Sequence, residues 1–202
     1  MSAADQYSWL RSDFGKLIAR GFCFTVVTVN PTVLIDKLQP LSEPAAANGI
    51  HDLFLLTEEI YRNDPPQGDV GLVVGVGSHS GSTLMFEVLG GQLARYHKLA
   101  KELSADEGSW VAATSTSESS YTVFLSTNGD NPTSFDTVSR DAEGPRLAEV
   151  TAALAAAEGS TDLGAAIRSP FESVFSAAGQ LSGIPITPEL MSSSELSVFR
   201  AS

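Results

Sequence analysis

The sequence predicts an α+β fold in which helices pack on one face of a mainly antiparallel sheet of about five to six strands. Short runs rich in β-branched and aromatic residues are separated by tight turns, and strands joined in this way pair antiparallel. Helical patterns dominate the last third of the chain, where they can cover one face of a sheet. No internal repeat and no linker interrupts this order, so we expect a single domain over residues 1–202.

Each predicted element follows from the spacing of its apolar residues and from the residues at its ends. A first helix over about residues 5–19 has one apolar side and ends at Gly21. A strand follows over residues 22–29, and Asn30-Pro31 then opens a short helix, because Asn caps free N–H groups and Pro fits the first helical position. The other predicted strands cover residues 70–77, 82–88, 110–115, 121–126 and 133–138, and the other predicted helices cover 52–62, 93–103 and 169–183 or begin near 147, 162 and 187.

Two segments differ in character from the rest of the chain. Residues 39–69 are rich in Pro, Ala and acidic residues and have the character of an acidic insertion. The Ser-rich segment 192–202 is expected to be frayed. Between these two segments, Ser169 and Glu172 form a predicted capping box at the start of a helix.

The chain is acidic and has a single cysteine. Its formal net charge of −12 repels phosphate backbones, so nucleic-acid binding is not expected. One cysteine allows neither an intrachain disulfide nor a cysteine-based metal site, which fits a reducing compartment. The sequence does not open with a secretion signal, and no apolar stretch reaches the ~20 residues that a membrane span needs. We therefore expect a cytoplasmic protein that does not bind membranes.

The sequence contains no motif that predicts catalysis, a metal ion or a cofactor. The Gly-rich run 75–82 lacks the phosphate-loop Lys and is followed by a strand pattern, so a hairpin turn is predicted there. His51, His79 and His97 are not spaced as metal ligands. Cys23 lies inside the first strand, where a core thiol is expected rather than a nucleophile. The lack of such motifs favours a protein that is not an enzyme, although it does not decide the question.

A basic cluster stands out in this acidic chain. Arg95, Lys98 and Lys101 are three residues apart and share part of one face of a predicted helix, which also carries His97. Such a face could bind an acidic partner or an anionic ligand. The alternative is a solvated face with no binding role, opposite the apolar side of the same helix.

Polar residues of the sheet and the helix offer a second candidate site. Glu87 alternates with Phe86 and Val88, so it is expected on the polar face of its strand. A small-molecule site is predicted where the sheet face meets the C-terminal helices, with Glu87, His97 or Tyr121 as its polar groups. Such a site requires a concave, largely apolar pocket with convergent polar side chains.

Four segments follow the patterns of one known family. They are Tyr7–Leu10 with its Trp, Asn30–Leu38 with its Pro-x-x-Val-Leu start, the hairpin end Phe86–Gly90, and Leu181–Leu190 with its Thr-Pro-Glu-x-Leu close. In these segments the chain resembles an actinobacterial family of uncharacterised proteins, domain of unknown function 6461. It departs from the family pattern by lacking a Trp in the second hairpin strand and by its long 39–69 segment. The resemblance implies neither an activity nor catalytic residues.

Two functions follow as hypotheses. The first is a non-enzymatic binding or protein-interaction module, of an immunity-like or regulatory kind, whose protein partner contacts the basic cluster. The second is a small-molecule-binding protein or enzyme with a site between the sheet face and the C-terminal helices. A purely structural role has less support, and the sequence does not predict an oligomeric state.

Overall fold

A computed structural model describes residues 4–65, 71–117, 120–163 and 167–201, and its framework is one antiparallel sheet. Within these residues nine strands pair in the order β2-β9-β3-β4-β1-β5-β6-β7-β8. The strands are β1 Phe22–Val27, β2 Gln39–Asn48, β3 Leu72–His79, β4 Ser82–Val88, β5 Ser109–Ser117, β6 Ser120–Thr127, β7 Thr133–Asp136, β8 Ala142–Glu143 and β9 Glu195–Ala201. The α+β class and the antiparallel sheet are confirmed, and the predicted number of five to six strands is wrong.

Seven α-helices and two short 3-10 helices, Ala4–Tyr7 and Leu93–Arg95, lie in the described part of the chain. The α-helices are α1 Trp9–Ile18, α2 Pro31–Ile35, α3 Gly49–Asn63, α4 His97–Leu103, α5 Leu147–Ala157, α6 Pro170–Ser182 and α7 Pro188–Ser193. In these residues, no helix has both the length and the apolar character needed to cross a membrane. The short helix predicted near residue 162 falls partly on residues 164–166, which lie outside the described residues.

Helices cover both faces of the sheet, which corrects the prediction of helices on one face. On the first face, Phe22 and Phe24 of β1 share a core with residues of α1, α3, α5, α6 and α7. On the second face, Cys23 and Val27 of β1 share a separate core with residues of α2 and α4. All six residues of β1 are therefore buried. A strand buried on both faces has a continuous apolar sequence, because neither face must be polar.

The strands that the sequence did not predict lie towards the edges of the sheet. The predicted insertion 39–69 provides the edge strand β2 and helix α3, whose buried Ile50 and Leu53 belong to the first-face core. Residues 66–70 of that segment lie outside the described residues. The segment expected to fray contains β9, which lies inside the sheet between β2 and β3. Its buried Leu196 and Val198 alternate with exposed residues, so its packing follows the usual period of two.

Local sequence signals explain several elements and fail at one helix start. Asn30 Oδ1 accepts a hydrogen bond from the Thr32 N–H at 2.9 Å, which confirms the predicted cap of α2. The β3–β4 hairpin turns at Ser80 and Gly81, which both have positive φ. This confirms the hairpin turn that was predicted in the Gly-rich run. The capping box at Ser169 does not form, because the Glu172 carboxylate binds Arg11 instead of the backbone at the start of α6.

The second face of the sheet is covered only near its centre. Helices α2 and α4 have 5 and 7 residues, too few to extend over nine strands. Beyond α4, strands β6 to β8 form the floor of an open groove. Beyond α2, strands β2, β9 and β3 form the floor of another. Potential binding surfaces therefore lie on this face, on both sides of the two short helices.

Candidate binding sites on the two faces of the sheet

The groove beside α4, called the α4 groove below, contains two of the predicted site residues. The α4 groove has a volume of about 570 Å³, and the groove beside α2 has a volume of about 740 Å³. Arg95 and His97 form one wall, and the hydroxyls of Ser120 and Thr122 lie on its floor. Its remaining lining residues are Phe124, Ser134, Asp136, Val138, Ser139, Asp141 and Glu143. The groove thus has a basic wall, an acidic wall and a floor rich in hydroxyl groups.

The basic cluster extends over two helices and gains a residue that the sequence did not associate with it. The predicted helix 93–103 is interrupted at Tyr96, so Arg95 ends a 3-10 helix and α4 starts at His97. Lys37, which follows α2, joins the cluster through an ion pair with α4, with its Nζ 2.8 Å from Glu102 Oε2. We call Lys37, Arg95, Lys98 and Lys101 the basic ridge.

Glu102 neutralises only part of the basic ridge. It pairs closely with Lys37, and Lys98 Nζ lies 4.0 Å from its other oxygen. The hydrogen bond and the charge of Lys37 lower the pKa of Glu102. Arg95 and Lys101 are exposed and form no ion pair with any other described residue. The ridge therefore presents a net positive charge on the surface of an acidic protein.

Asp136 on β7 organises the acidic wall of the α4 groove. Its Oδ1 accepts the N–H groups of Val138 and Ser139, each at 2.8 Å. Its Oδ2 accepts the hydroxyls of Ser120 at 2.8 Å and Thr122 at 3.1 Å. Partial burial raises the pKa of Asp136, but these hydrogen bonds outweigh burial and leave the pKa below its ordinary value. The carboxylate therefore fixes the loop after β7 against the floor of the groove.

Glu87 is a buried residue with a structural role and does not lie on a binding surface. The side chains of β4 alternate between the two faces as predicted. The face expected to be polar, however, packs into the second-face core, and Glu87 is fully buried there. Its Oε2 accepts the Leu93 N–H at 2.6 Å. A β-carbon at Gly90 would clash with its Oε1, so a side chain at this position would displace the buried carboxylate. Glu87 thus holds the segment that leads from β4 to the basic ridge.

Cys23 lies next to Glu87 across the paired strands β1 and β4. Burial first, and the nearby Glu87 charge second, raise the pKa of its thiol to about 12. Because the thiolate is the nucleophilic form, such a thiol is unreactive near neutral pH. The structure therefore places Cys23 in the core, as expected. No group of three or more His, Cys, Asp or Glu side chains within the described ranges is arranged to hold a metal ion.

Tyr121 lies on the opposite face of the sheet, at a pocket that the sequence did not predict in detail. This pocket, called the α1–α6 pocket below, has a volume of about 310 Å³ and lies between α1, α6 and strands β5 and β6. Tyr121 and Phe171 line it together with Arg11. Arg11 pairs with Glu172, with 2.5 Å between Nε and Oε1, and this carboxylate raises the pKa of Arg11.

The six predicted site residues therefore do not form one site. Arg95 and His97 line the α4 groove, and Lys98 and Lys101 lie beside it on α4. Glu87 lies in the core, and Tyr121 lies at the α1–α6 pocket. Sequence analysis missed Lys37, Asp136 and Arg11, because the side chains with which each of them pairs are 14 or more positions away in the sequence. The turn-forming run after Asp136 was the one local signal that could have identified it.

The chain matches the family of unknown function DUF6461 over residues 1–201. This match covers nearly the whole sequence, and the description of the family names no activity. No curated protein and no solved structure matches the chain.

Proposed function

We propose that this chain, which belongs to the family of unknown function DUF6461, is a protein-interaction module that binds an acidic segment of its partner on the second face of its sheet. The observation that supports this most strongly is the basic ridge beside the open α4 groove. The ridge is positive although the protein has a formal net charge of −12. We include a cytoplasmic location and a regulatory or immunity-like role in this proposal.

The distribution of charge favours an acidic partner. Lys98 has a side chain that is 92% exposed, and Arg95 and Lys101 are also exposed. Glu102 is shared between Lys37 and Lys98, so within the ridge four cations share one carboxylate. The acidic wall lies across the α4 groove, so the carboxylates of the partner contact the ridge and not that wall. Complementary charge on a partner speeds its encounter with such a surface and selects its orientation.

The shape and chemistry of the α4 groove favour an extended polypeptide. Its floor is the flat surface of β6 and β7, with hydroxyl groups from Ser120, Thr122 and Ser134. The His97 ring lies 6.5 Å from the Phe124 ring and provides an apolar contact at the wall. An extended segment could place carboxylates on the basic ridge while its backbone and small polar side chains meet the hydroxyl groups.

A direct test uses a fluorescein-labelled peptide of alternating Glu and Ser, with binding followed by fluorescence anisotropy at a salt concentration of ~0.1 M, where the Debye length is ~10 Å. An acidic peptide is repelled by most of this protein, so its binding reports a local positive surface. The triple variant Arg95→Glu, Lys98→Glu, Lys101→Glu should bind about a hundredfold more weakly, because each exposed charge pair contributes up to ~1 kcal/mol.

The matched control is Lys16→Glu, Arg62→Glu, Arg168→Glu. These residues are exposed, make no ion pair with other described residues, and give the same net charge when reversed. The control should bind the peptide within about threefold of the original protein, because screening by salt weakens distant charges. Equal losses in both variants would show that only net charge matters, and the proposed site would be wrong. Both variants should keep the circular dichroism spectrum of the original protein.

A further inference from the structure

The α1–α6 pocket lies on the first face of the sheet, away from the basic ridge, and has the size of a small-ligand site. Its volume of about 310 Å³ is near the lower end of the ~300–1,000 Å³ range typical of ligand pockets. A molecule of one or two fused rings fits such a volume. The pocket is lined by α1 on one side and by aromatic side chains of β6 and α6 on the other.

The wall formed by α1 leaves space for a ligand close to the helix backbone. Gly15 and Ala19 line this wall and are one helical turn apart. A β-carbon placed on Gly15 would have no other atom within 4 Å. The space immediately beside Gly15 is therefore open on the side of the pocket.

The opposite wall is the end of a series of aromatic rings that leads into the first-face core. The ring centroids of Tyr121 and Phe171 are 5.4 Å apart, and those of Phe171 and Phe175 are 5.1 Å apart. Phe175 then stacks with Phe22 of β1 at 6.0 Å. Aromatic pairs at such distances are favourable by ~0.5–1.5 kcal/mol beyond the burial of their area. A ring in the pocket could extend this series.

The polar group at the pocket rim is already neutralised within the protein. Arg11 stands over the Phe171 ring, with its guanidinium carbon 5.0 Å from the ring centroid. Its Nε and Nη2 donate to the two oxygens of Glu172, at 2.5 and 3.3 Å. Because this ion pair has no net charge, the pocket does not select a charged ligand. The flat guanidinium instead offers a surface on which an aromatic ring can stack.

We propose that the α1–α6 pocket binds an uncharged, flat aromatic molecule of one or two fused rings. The ring lies against Tyr121 and Phe171 and fills the space beside Gly15. This binding site is separate from the protein-interaction surface and does not depend on it, since the two lie on opposite faces of the sheet.

The test titrates the ¹⁵N-labelled full chain with indole and follows amide chemical shifts by NMR. Indole should cause saturable shifts at residues of the pocket, and cyclohexanol, which has no aromatic ring, should bind at least about tenfold more weakly. Gly15→Leu fills the open space and should weaken indole binding by about tenfold or more. The matched control is Ala148→Leu, which adds a Leu to the exposed side of α5 and should change binding less than twofold.

Gly15→Leu is expected to fold, because Leu favours a helix more than Gly and its β-carbon would have no other atom within 4 Å. Tyr121→Ala provides a second variant that removes the opposite wall and should also abolish the saturable shifts. If indole binds equally well to both variants, or shifts no pocket residue in the original protein, the proposal is wrong. Gly15→Leu should leave the binding of the acidic peptide unchanged, so the two proposals fail separately.

Discussion

At the scale of single residues, two buried or half-buried carboxylates determine how the second face is built. Glu87 fixes the segment before the basic ridge through the Leu93 N–H, and Asp136 fixes the loop after β7 through four hydrogen bonds. Glu87 satisfies a buried backbone N–H that would otherwise lack a partner, and Asp136 holds two N–H groups of an exposed turn. The walls of the α4 groove are therefore preorganised, which reduces the cost of ordering them when a partner binds.

We expect Asp136→Asn to lower the free energy of unfolding by about 1–2 kcal/mol at neutral pH, because a hydrogen bond to a charged group is worth about that much. Folding lowers the pKa of Asp136, so its stabilisation is complete at neutral pH and is lost as the pH falls from the ordinary value towards the folded one. Urea unfolding from pH 7 to pH 3 should thus show a difference between variant and original protein that shrinks with acid.

Asp141→Asn is the control for this residue. Asp141 is exposed in the same groove, and its carboxylate accepts none of the hydrogen bonds described above. Its substitution should change the stability at neutral pH by less than about 0.5 kcal/mol. A stability difference for Asp136→Asn that stays constant down to pH 3 would mean that the charge of Asp136 does not stabilise the fold.

At the scale of elements, the six neighbouring strands from β3 to β7 could be predicted from the sequence, and the strands β2, β9 and β8 at the two edges could not. Strands β1, β3 and β4 have the β-branched and apolar runs that full burial favours. Strand β2 contains Pro40, Pro44 and several Ala, and it becomes a strand only because β9 pairs with it. Helix α4 and its ridge were predicted as one helix, since no sequence signal marks the break at Tyr96.

Strand β9 offers a matched pair of substitutions that tests its place in the sheet. Val198 is buried in the first-face core, and its neighbour Ser197 is exposed on the other face. Val198→Asp should lower the free energy of unfolding by about 3 kcal/mol or more, because it buries a carboxylate without a partner. Ser197→Asp should change it by less than about 0.5 kcal/mol. If thermal or urea unfolding tolerates both substitutions, the segment is frayed as its sequence suggested.

At the scale of the whole molecule, the two faces of the sheet differ in cover and in charge. Five helices pack on the first face, whereas two short helices cover the centre of the second. The sequence predicted most of the helices, but it did not predict which face of the sheet each helix covers. Strands that are apolar on both faces give no signal that distinguishes one face from the other. It predicted three of the four cations of the basic ridge, and the fourth, Lys37, joins them only through its ion pair with Glu102 of α4.

Hydrogen exchange followed by mass spectrometry should show this layered construction. Amides of β1 are expected to exchange most slowly, because every residue of β1 is buried and the strand pairs on both sides. Amides of β8, which has two exposed residues at the sheet edge, should exchange fastest among the strands. Equal protection of β1 and β8 would contradict a sheet whose stability is centred on the two cores.

The place of β9 between β2 and β3 also affects how the protein is made in the cell. Strand β2 leaves the ribosome early, but its partner β9 is translated after every other strand of the sheet. During this interval the nascent β2 has no partner, and unpaired strands are prone to join other chains. Pro40 and Pro44 cannot donate backbone hydrogen bonds, so they limit such wrong pairing. The two prolines that obscured β2 in the sequence thus protect the unfinished chain from aggregation.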